Sequence, residues 1–483
     1  MKKVPTKNNV ITSLLWKLLE RGGTQGIQFI VQIVLARLLM PEVYGTVAFV
    51  TVFITLAQVF VQSGLGTALI QKKEADNVDF SSVFYLSLGL ATVLYGLLFL
   101  FAPFISRFYH DAELIPVLRV LGVVLFFGAA NGIQNAWVSR HMMFKELFKR
   151  SIGALLISGT VGIIAAYSGL GIWALVIQQV TNQAAVTIIM WFTIKWRPIR
   201  AFSFSRVRVL FSFGWKLLLS SLIDQLYRDL RTLVIGRMFS SSTLGFYNKG
   251  QQFPNLIVSN INGSIQAVML PALSSHQDDK QRVKAMMRRA IKTSSFIIFP
   301  MMVGMAVVAE PMVRLLLTDK WLPAVPFLRV FCFTYMLWPI HTANLQAINA
   351  LGRSDIFLKL EVIKKVVGLI ILSISVPMGV YAIALGGVVS GITSSIINAW
   401  PNRKLLNYSY VEQLLDFFPA FGLSVLMGAM VFLIGTLPVE DWQRLILQVP
   451  LGGVGYLIMA KLTHNESMSY LIDVLKTTFK RKA

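Results

Sequence analysis

Thr51, Thr55, Gln58 and Gln62 fall at i, i+4, i+7 and i+11, and Gln251, Asn255, Ser259, Asn262 and Gln266 repeat nearly that spacing downstream. At about 100° per residue each set lies on one side of a helix. Amides and hydroxyls both donate and accept hydrogen bonds, so such faces suit a hydroxyl-rich ligand such as a sugar. Two further faces carry charge. Lys17, Arg21, Thr24, Gln25, Gln28 and Gln32 share one, and Lys216, Ser220, Asp224, Tyr227, Arg228 and Arg231 share the other. Guanidinium and ammonium groups match phosphate oxygens. Cations beside amides therefore point to a ligand with an anionic head and a sugar body, such as a pyrophosphate-linked sugar chain. Plainer roles compete at several positions. Lys17 and Lys216 sit near helix ends, where a lysine can snorkel to the interface. Asp224 and Arg228 are spaced for an i,i+4 pair. Arg37 and Arg237, near the opposite ends of their helices, suit caps or interface anchors as well as substrate contacts.

These residues matter because of the segments that hold them. Hydrophobic residues make up 55% of the chain and charged residues 14%, and the mean hydropathy is +0.66. That composition belongs to an all-α polytopic membrane protein. About fourteen runs are long enough to span roughly 30 Å of hydrocarbon as helices. They lie near 11–38, 44–69, 81–105, 115–138, 148–167, 171–194, 210–236, 247–273, 292–317, 325–350, 358–376, 380–399, 416–437 and 444–461. Unpaired polar groups facing lipid cost several kcal/mol each, so the polar stripes are expected to face protein or a wet cavity.

A net charge of +23 would suggest nucleic acid in a soluble protein, but here the basic residues alternate between loops. Lys2, Lys3 and Lys7, Lys72 and Lys73, Arg140 to Arg150, Lys195 to Arg208, Lys280 to Arg289, Arg353, Arg403 and Lys404, and Lys476 to Lys482 carry most of them. The intervening loops hold chiefly Arg107, Lys320 and Arg444. The positive-inside rule then places both termini and the basic loops on the cytoplasmic side of a membrane, with lipids rather than nucleic acid around the chain. Trp196, Trp321, Trp400 and Trp442 stand at expected helix ends, where interfacial indoles usually lie. Glu20 and Arg21 interrupt the first apolar run, which reads as a span and not as a cleaved signal. Cys332 is alone, so an intrachain disulfide or a cysteine metal site is not expected. Without a phosphate-binding loop of the Gly-x-x-x-x-Gly-Lys-Ser/Thr type, a secondary mechanism with no bound cofactor or metal is expected. Glu20, Asp224 and Asp229 are candidates for proton or sodium coupling, with Glu310 and Glu361 behind them. Glu361 has Lys364 and Lys365 at i+3 and i+4 and reads first as a structural cluster.

Internal repetition divides the chain. Leu35-Ala-Arg-Leu-Leu39 before Gly45 returns as Ile235-Gly-Arg-Met-Phe239 before Gly245, and Pro116-Val-Leu-Arg-Val120 returns as Pro326-Phe-Leu-Arg-Val330. Phe148-Lys149 matches Leu358-Lys359, and Gly171-Ile-Trp-Ala174 matches Gly379-Val-Tyr-Ala382. The expected organisation is a six-helix repeat over 1–200, a second over 201–405, and two extra helices with a cytoplasmic tail over 406–483. Six is even, so the repeats enter the membrane the same way, and a two-fold axis along the membrane normal should relate them.

The strings Leu35-Ala-Arg-Leu-Leu-Met-Pro-Glu-Val-Tyr-Gly45 and Ser63-Gly-Leu-Gly-Thr-Ala-Leu-Ile-Gln71, with Phe213-Gly-Trp-Lys216 and Leu244-Gly-Phe-Tyr-Asn248, resemble the polysaccharide-transporter (Wzx-type) flippases of the multidrug/oligosaccharidyl-lipid/polysaccharide superfamily. The likeness is nearest to exporters of colanic and teichuronic acid and covers nearly the whole chain. It implies twelve core spans plus two. It also implies flipping of undecaprenyl-pyrophosphate-linked oligosaccharide by alternating access, with the first, second, seventh and eighth spans lining the cavity, and work alongside a polysaccharide polymerase and export machinery. Two other functions compete. A drug or metabolite cation antiporter of the same superfamily would favour an acidic, aromatic lumen. A membrane glycosyltransferase or polymerase would place catalytic acids in a large outer loop.

Overall fold

Long apolar runs leave a backbone in lipid one economical choice, which is to satisfy its own N–H and C=O groups within helices. The structure, a computed structural model, describes residues 7–62 and 64–480, with side chains described for 22–62, 64–143, 147–212, 214–473 and 476. Over these residues it is helical, with no strand. The chain divides into two compact units, Met1–Gly245 and Phe246–Ala483.

The first unit holds α1 (Lys7–Leu38), α2 (Pro41–Gln62), α3 (Leu65–Gln71), α4 (Asn77–Tyr109), α5 (Leu114–Gly122), α6 (Val124–Arg140), α7 (Phe144–Tyr167), α8 (Ile172–Thr193) and α9 (Phe204–Met238). It also takes in the start of α10 (Ser241–Ser274). The second unit continues with α11 (Lys280–Val307), α12 (Ala309–Leu317), α13 (Val325–Met336), α14 (Trp338–Ala350), α15 (Ser354–Ser375), α16 (Val380–Leu406), α17 (Tyr410–Gly435), α18 (Asp441–Leu462) and α19 (Glu466–Lys480). Among the described residues, eleven helices are long and apolar enough to cross a membrane, or twelve if α9, bent by 55° near 212–214, counts as one span. The two remaining expected spans coincide with α1 and α15, helices outside that set. The expected span at 44–69 falls within one candidate span, Pro41–Gln71, in which α3 follows α2 past Gly64 at a left-handed φ of 65°. Outward-facing Leu100, Phe104, Phe192 and Leu433 are exposed, as expected of surfaces that meet lipid.

Helix ends are tied down where polar side chains reach orphan backbone groups. Asp76 caps α4, accepting from the Asp79 N–H at 2.9 Å, while Asp79 accepts from the Asp76 N–H at 3.1 Å. Arg206 donates to both Asp76 carboxylate oxygens, at 2.6 and 2.5 Å. That hydrogen bond holds the Asp76 carboxyl below its ordinary range. Arg140, expected as a loop charge, donates to the carbonyls of Leu69, Ile70, Lys72 and Lys73 and so closes the C-terminal end of α3. Trp196 and Trp321 depart from the interfacial expectation and are buried, whereas Trp400 and Trp442 are exposed. Trp196 packs with Phe80, Phe84 and Trp137 in one aromatic cluster, which removes more apolar surface than an interface could.

The second unit gains its rigidity from a charged junction. Asp416 on α17 is fully buried and receives Arg288 at 2.7 Å and Lys292 at 3.4 Å from α11, and Tyr408 donates to it at 2.7 Å. Lys292 also reaches Glu466 of α19 at 2.8 Å. Removing Asp416 leaves the buried Tyr408 hydroxyl without its acceptor, while Arg288 is half exposed to water and Lys292 keeps Glu466. Asp416→Ala is therefore expected to cost about 1 to 2 kcal/mol, read as a lower unfolding midpoint of the full-length protein in lipid nanodiscs. Asp416→Asn, which keeps an acceptor for Tyr408, should lose less.

Candidate functional site

Lys17, Glu20 and Arg21 lie outside the described side chains. The remaining candidates fall on α1, α2, α9 and α10, and the first unit joins two of them, Thr55 and Asp229.

In the first unit the polar faces of α2 and α9 meet. Thr55 of α2 donates to Asp229 of α9 at 3.3 Å as well as to the Val52 carbonyl at 2.9 Å, and Gln225 donates to the same Asp229 oxygen at 2.7 Å. Asp229 thus serves as the acceptor that joins two polar helices. Thr51 turns inward on its own helix, donating to the Val47 carbonyl at 2.7 Å. Arg231 is half-buried, and its Nε is buried with no hydrogen-bond partner, an orphan donor that calls for an acceptor from outside the described chain. Arg228 and Lys216 are exposed, while Asp224 and Tyr227 are half-buried. Arg237 lies over the Phe108 ring at 4.8 Å, so the anchoring role weighed for it has a partner. Arg37 and Gln28 are exposed and Gln32 is half-buried.

Gln58 and Gln62 run along α6. A Cβ on Gly128 would stand 3.5 Å from the Gln58 amide nitrogen, and one on Gly132 would stand 4.0 Å from Gln62 Cγ. Asn131 and Gln134, between and beyond these glycines, are buried, with the Asn131 oxygen and both Gln134 amide atoms unpartnered. The residue-by-residue reading missed this pair. Its signal was Asn131, Gln134 and Asn135 within an apolar run.

In the second unit Gln251 donates to the Tyr335 hydroxyl at 2.7 Å, and Ser259 donates to its own helix at Leu256 O. Asn255 is half-buried, Gln266 is exposed, and Asn262 is 9% exposed with an unpartnered Oδ1. Lys249, also missed from sequence, is 4% exposed and sits 5.5 Å from the centre of the Trp321 ring. It lies two residues from both Tyr247 and Gln251 on α10, in a stretch whose glycine and aromatics read as a turn.

A set of long apolar helices carrying intramembrane arginine, lysine and amide faces defines a polytopic transporter. The fold supports that class. The chain resembles a lipid II flippase, MurJ, in an inward closed conformation with a TM-score of 0.75 at 16% identity, covering 94% of this chain and 99% of that one. It also resembles an inward-facing multidrug resistance MATE family transporter of the MOP superfamily with a TM-score of 0.62 at 16% identity, covering 81% of this chain and 99% of that one. Residues 34–326 match the family described as Polysaccharide biosynthesis protein, and the chain belongs to it. Relatives include the teichuronic acid biosynthesis protein TuaB of Bacillus subtilis, 24% identical over 86% of this chain and 88% of its own length. The lipopolysaccharide biosynthesis protein WzxC of Escherichia coli is 24% identical over 87% of this chain and 86% of its own length.

Proposed function

We propose that this bacterial membrane protein is a secondary transporter that flips undecaprenyl-pyrophosphate-linked oligosaccharide units across the cytoplasmic membrane by alternating access, for surface or exopolysaccharide assembly. The observation that carries this reading is the orphan Nε of Arg231 on an intramembrane polar face, in a chain of the polysaccharide biosynthesis family. Arg231, Arg228 and Arg21, with Lys17 and Lys216, hold the pyrophosphate, and Arg37 and Arg237 flank its path. Gln28, Gln32, Thr51, Thr55, Gln58, Gln62, Tyr227, Gln251, Asn255, Ser259, Asn262 and Gln266 offer donors and acceptors to sugar hydroxyls. A charged head crosses the membrane only if fixed dipoles and cations replace its water, and the sugar follows by exchanging water for amides. A polysaccharide polymerase takes the unit on the outer face.

Fourteen spans, with 1–200 and 201–405 as parallel repeats and 406–483 as an addition, belong to the same proposal. One contact in the first unit supports it. Ser242 donates to Glu42 at 2.7 Å, and the close neighbours of Gly45 and Gly245 are Ser241 and Pro41 respectively. Residues 200 apart that meet one another, and swap neighbours across the meeting, are what a two-fold axis produces. Both termini are cytoplasmic in this proposal. A reporter active only outside the membrane should be active when fused after Pro41 or Leu322 and silent after Lys73, Arg289 or Ala483, and the reverse pattern would overturn the orientation. The function itself is tested by deleting the gene in its host and labelling lipid-linked precursor on each leaflet. Precursor confined to the cytoplasmic leaflet is expected, with export restored by the intact gene. Export that is unchanged without the protein would refute it.

A further inference from the structure

α2 has two faces. Thr51, Thr55, Gln58 and Gln62 share one, and at about 100° per residue Phe49, Phe53, Leu56 and Phe60 fall on the other. On that apolar side a groove opens between α2 and α4, bounded by Phe53, Leu56 and Phe60 of one helix and Leu94, Leu97 and Phe101 of the other. Every side chain lining it is apolar, and Phe60, Leu97 and Phe101 are exposed along its mouth. The groove measures about 210 Å³. That is below the ~300 to 1,000 Å³ of pockets that enclose a whole small molecule, and suits a segment of one chain.

A cation stands in line with the groove. Phe101 and Phe108 lie at i and i+7 on α4, so they share a face and are ~10 Å apart along the axis. The guanidinium of Arg237, on α9, lies 4.8 Å from the centre of the Phe108 ring, and the residue is exposed. Contact with the ring engages the charge and not the N–H donors, which still suit phosphate oxygens. From α2 the same end is closed by Phe49, whose ring packs on those of Phe53 and Tyr109 at 5.2 and 4.1 Å. A Cβ on Gly236, the neighbour of Arg237, would stand 2.7 Å from the Phe49 ring. Arg237 therefore heads the apolar faces of both helices.

An apolar slot one chain wide, aligned with a guanidinium, fits an amphiphile whose phosphate is bonded directly to a single hydrocarbon chain. A phospholipid carries two chains and sets a glycerol between them and its phosphate. Three phenylalanine rings also offer flat faces to the methyl branches and double bonds of an isoprenoid. We infer that the α2–α4 groove and Arg237 form a binding site for the lipid carrier, with the first isoprene units of a polyprenyl chain in the groove and its pyrophosphate on Arg237. The inference deepens the transport reading and rests on it, including the orientation that puts the C-terminal end of α4 outside, so the site receives the carrier after the head has crossed. α2 then divides the ligand. The sugar follows the polar stripe while the tail keeps to the opposite face, which spares the apolar chain any passage through water.

The test uses the full-length protein in lipid nanodiscs and undecaprenyl pyrophosphate carrying a photoreactive diazirine in its second isoprene unit. Cross-links mapped by mass spectrometry should fall on residues 53–60 of α2 and 94–101 of α4. Leu97→Trp fills the groove and should cut that labelling about tenfold, as expected when about two methylene groups lose their burial. Arg237→Gln should weaken binding about tenfold, and Arg237→Lys should restore part of it. Undecaprenol with the same diazirine should label more weakly and be indifferent to Arg237→Gln. Labelling confined to other helices overturns the groove, and the map on the unaltered protein decides this whether or not Leu97→Trp accumulates. Equal groove labelling by a phosphatidylglycerol with a diazirine at matching depth would reduce the groove to ordinary lipid contact and overturn the site. Pyrophosphate binding unmoved by Arg237→Gln overturns the head-group contact. Carrier bound here by a protein whose deletion leaves export unchanged would refute flipping and uphold the site. Export that depends on the protein, with no labelling of the groove, would refute the site and leave flipping standing.

Discussion

Export of surface polysaccharide should be abolished by joint replacement of Arg21, Arg228 and Arg231 with Glu, while the protein remains inserted and lipid-linked precursor accumulates on the cytoplasmic leaflet. Arg228 is exposed and Arg231 half-buried with an orphan donor, and among the described residues neither guanidinium forms an ion pair that reversal would break. Changing a single one to Gln removes one charge-assisted contact, worth ~1.5 to 3 kcal/mol, or about a ten- to hundredfold loss of apparent affinity. Lys should restore part of it, since the charge survives and the bidentate fork does not. A cation antiporter predicts the opposite ranking, with Glu tolerated and transport of a cationic dye kept or raised. Leaflet-resolved labelling of the precursor, beside surface polysaccharide, separates the two. Normal export by the stably expressed triple variant would eliminate the cationic site.

The second large effect is on folding. In Gly45→Ala or Gly245→Ala the folded population should nearly vanish, seen as loss of the monodisperse peak in fluorescence-detected size exclusion. A Cβ on Gly45 would overlap the carbonyl oxygen of Ser241, and one on Gly245 would overlap that of Pro41. The obstacles are backbone atoms, which cannot rotate away, so the start of α2 and the start of α10 would have to separate along with the Glu42–Ser242 hydrogen bond. The cost should exceed the ~1 to 3 kcal/mol of ordinary overpacking. Gly89 and Gly96 on α4 have nothing within 4 Å of an added Cβ. Alanine there should be neutral or slightly stabilising, because it lowers the entropy lost on folding. Full accumulation of Gly45→Ala would show that this crossing is not as close as described.

Much of this architecture could be read from hydropathy and period alone. Helix is the only regular structure that an apolar run of this length can adopt in lipid, and the i, i+4, i+7 spacing of Thr51, Thr55 and Gln58 makes a face whatever it meets. The recurrence of Arg37 and Gly45 at Arg237 and Gly245 likewise needed no coordinates. What the stripe meets was decided by tertiary packing. Thr55 found Asp229, 174 residues away, and Gln58 found Gly128 of α6, partners that period cannot select because it reports direction around one helix and nothing about the next. Trp321 and Arg140 carried misleading local signals for the same reason. An indole near a helix end and an arginine in a basic loop look interfacial until a neighbouring aromatic or a set of orphan carbonyls claims them. The contact of His341 with Asn398, 3.3 Å apart on two helices, is likewise legible only in three dimensions, because neither residue's place in its own helix names the other.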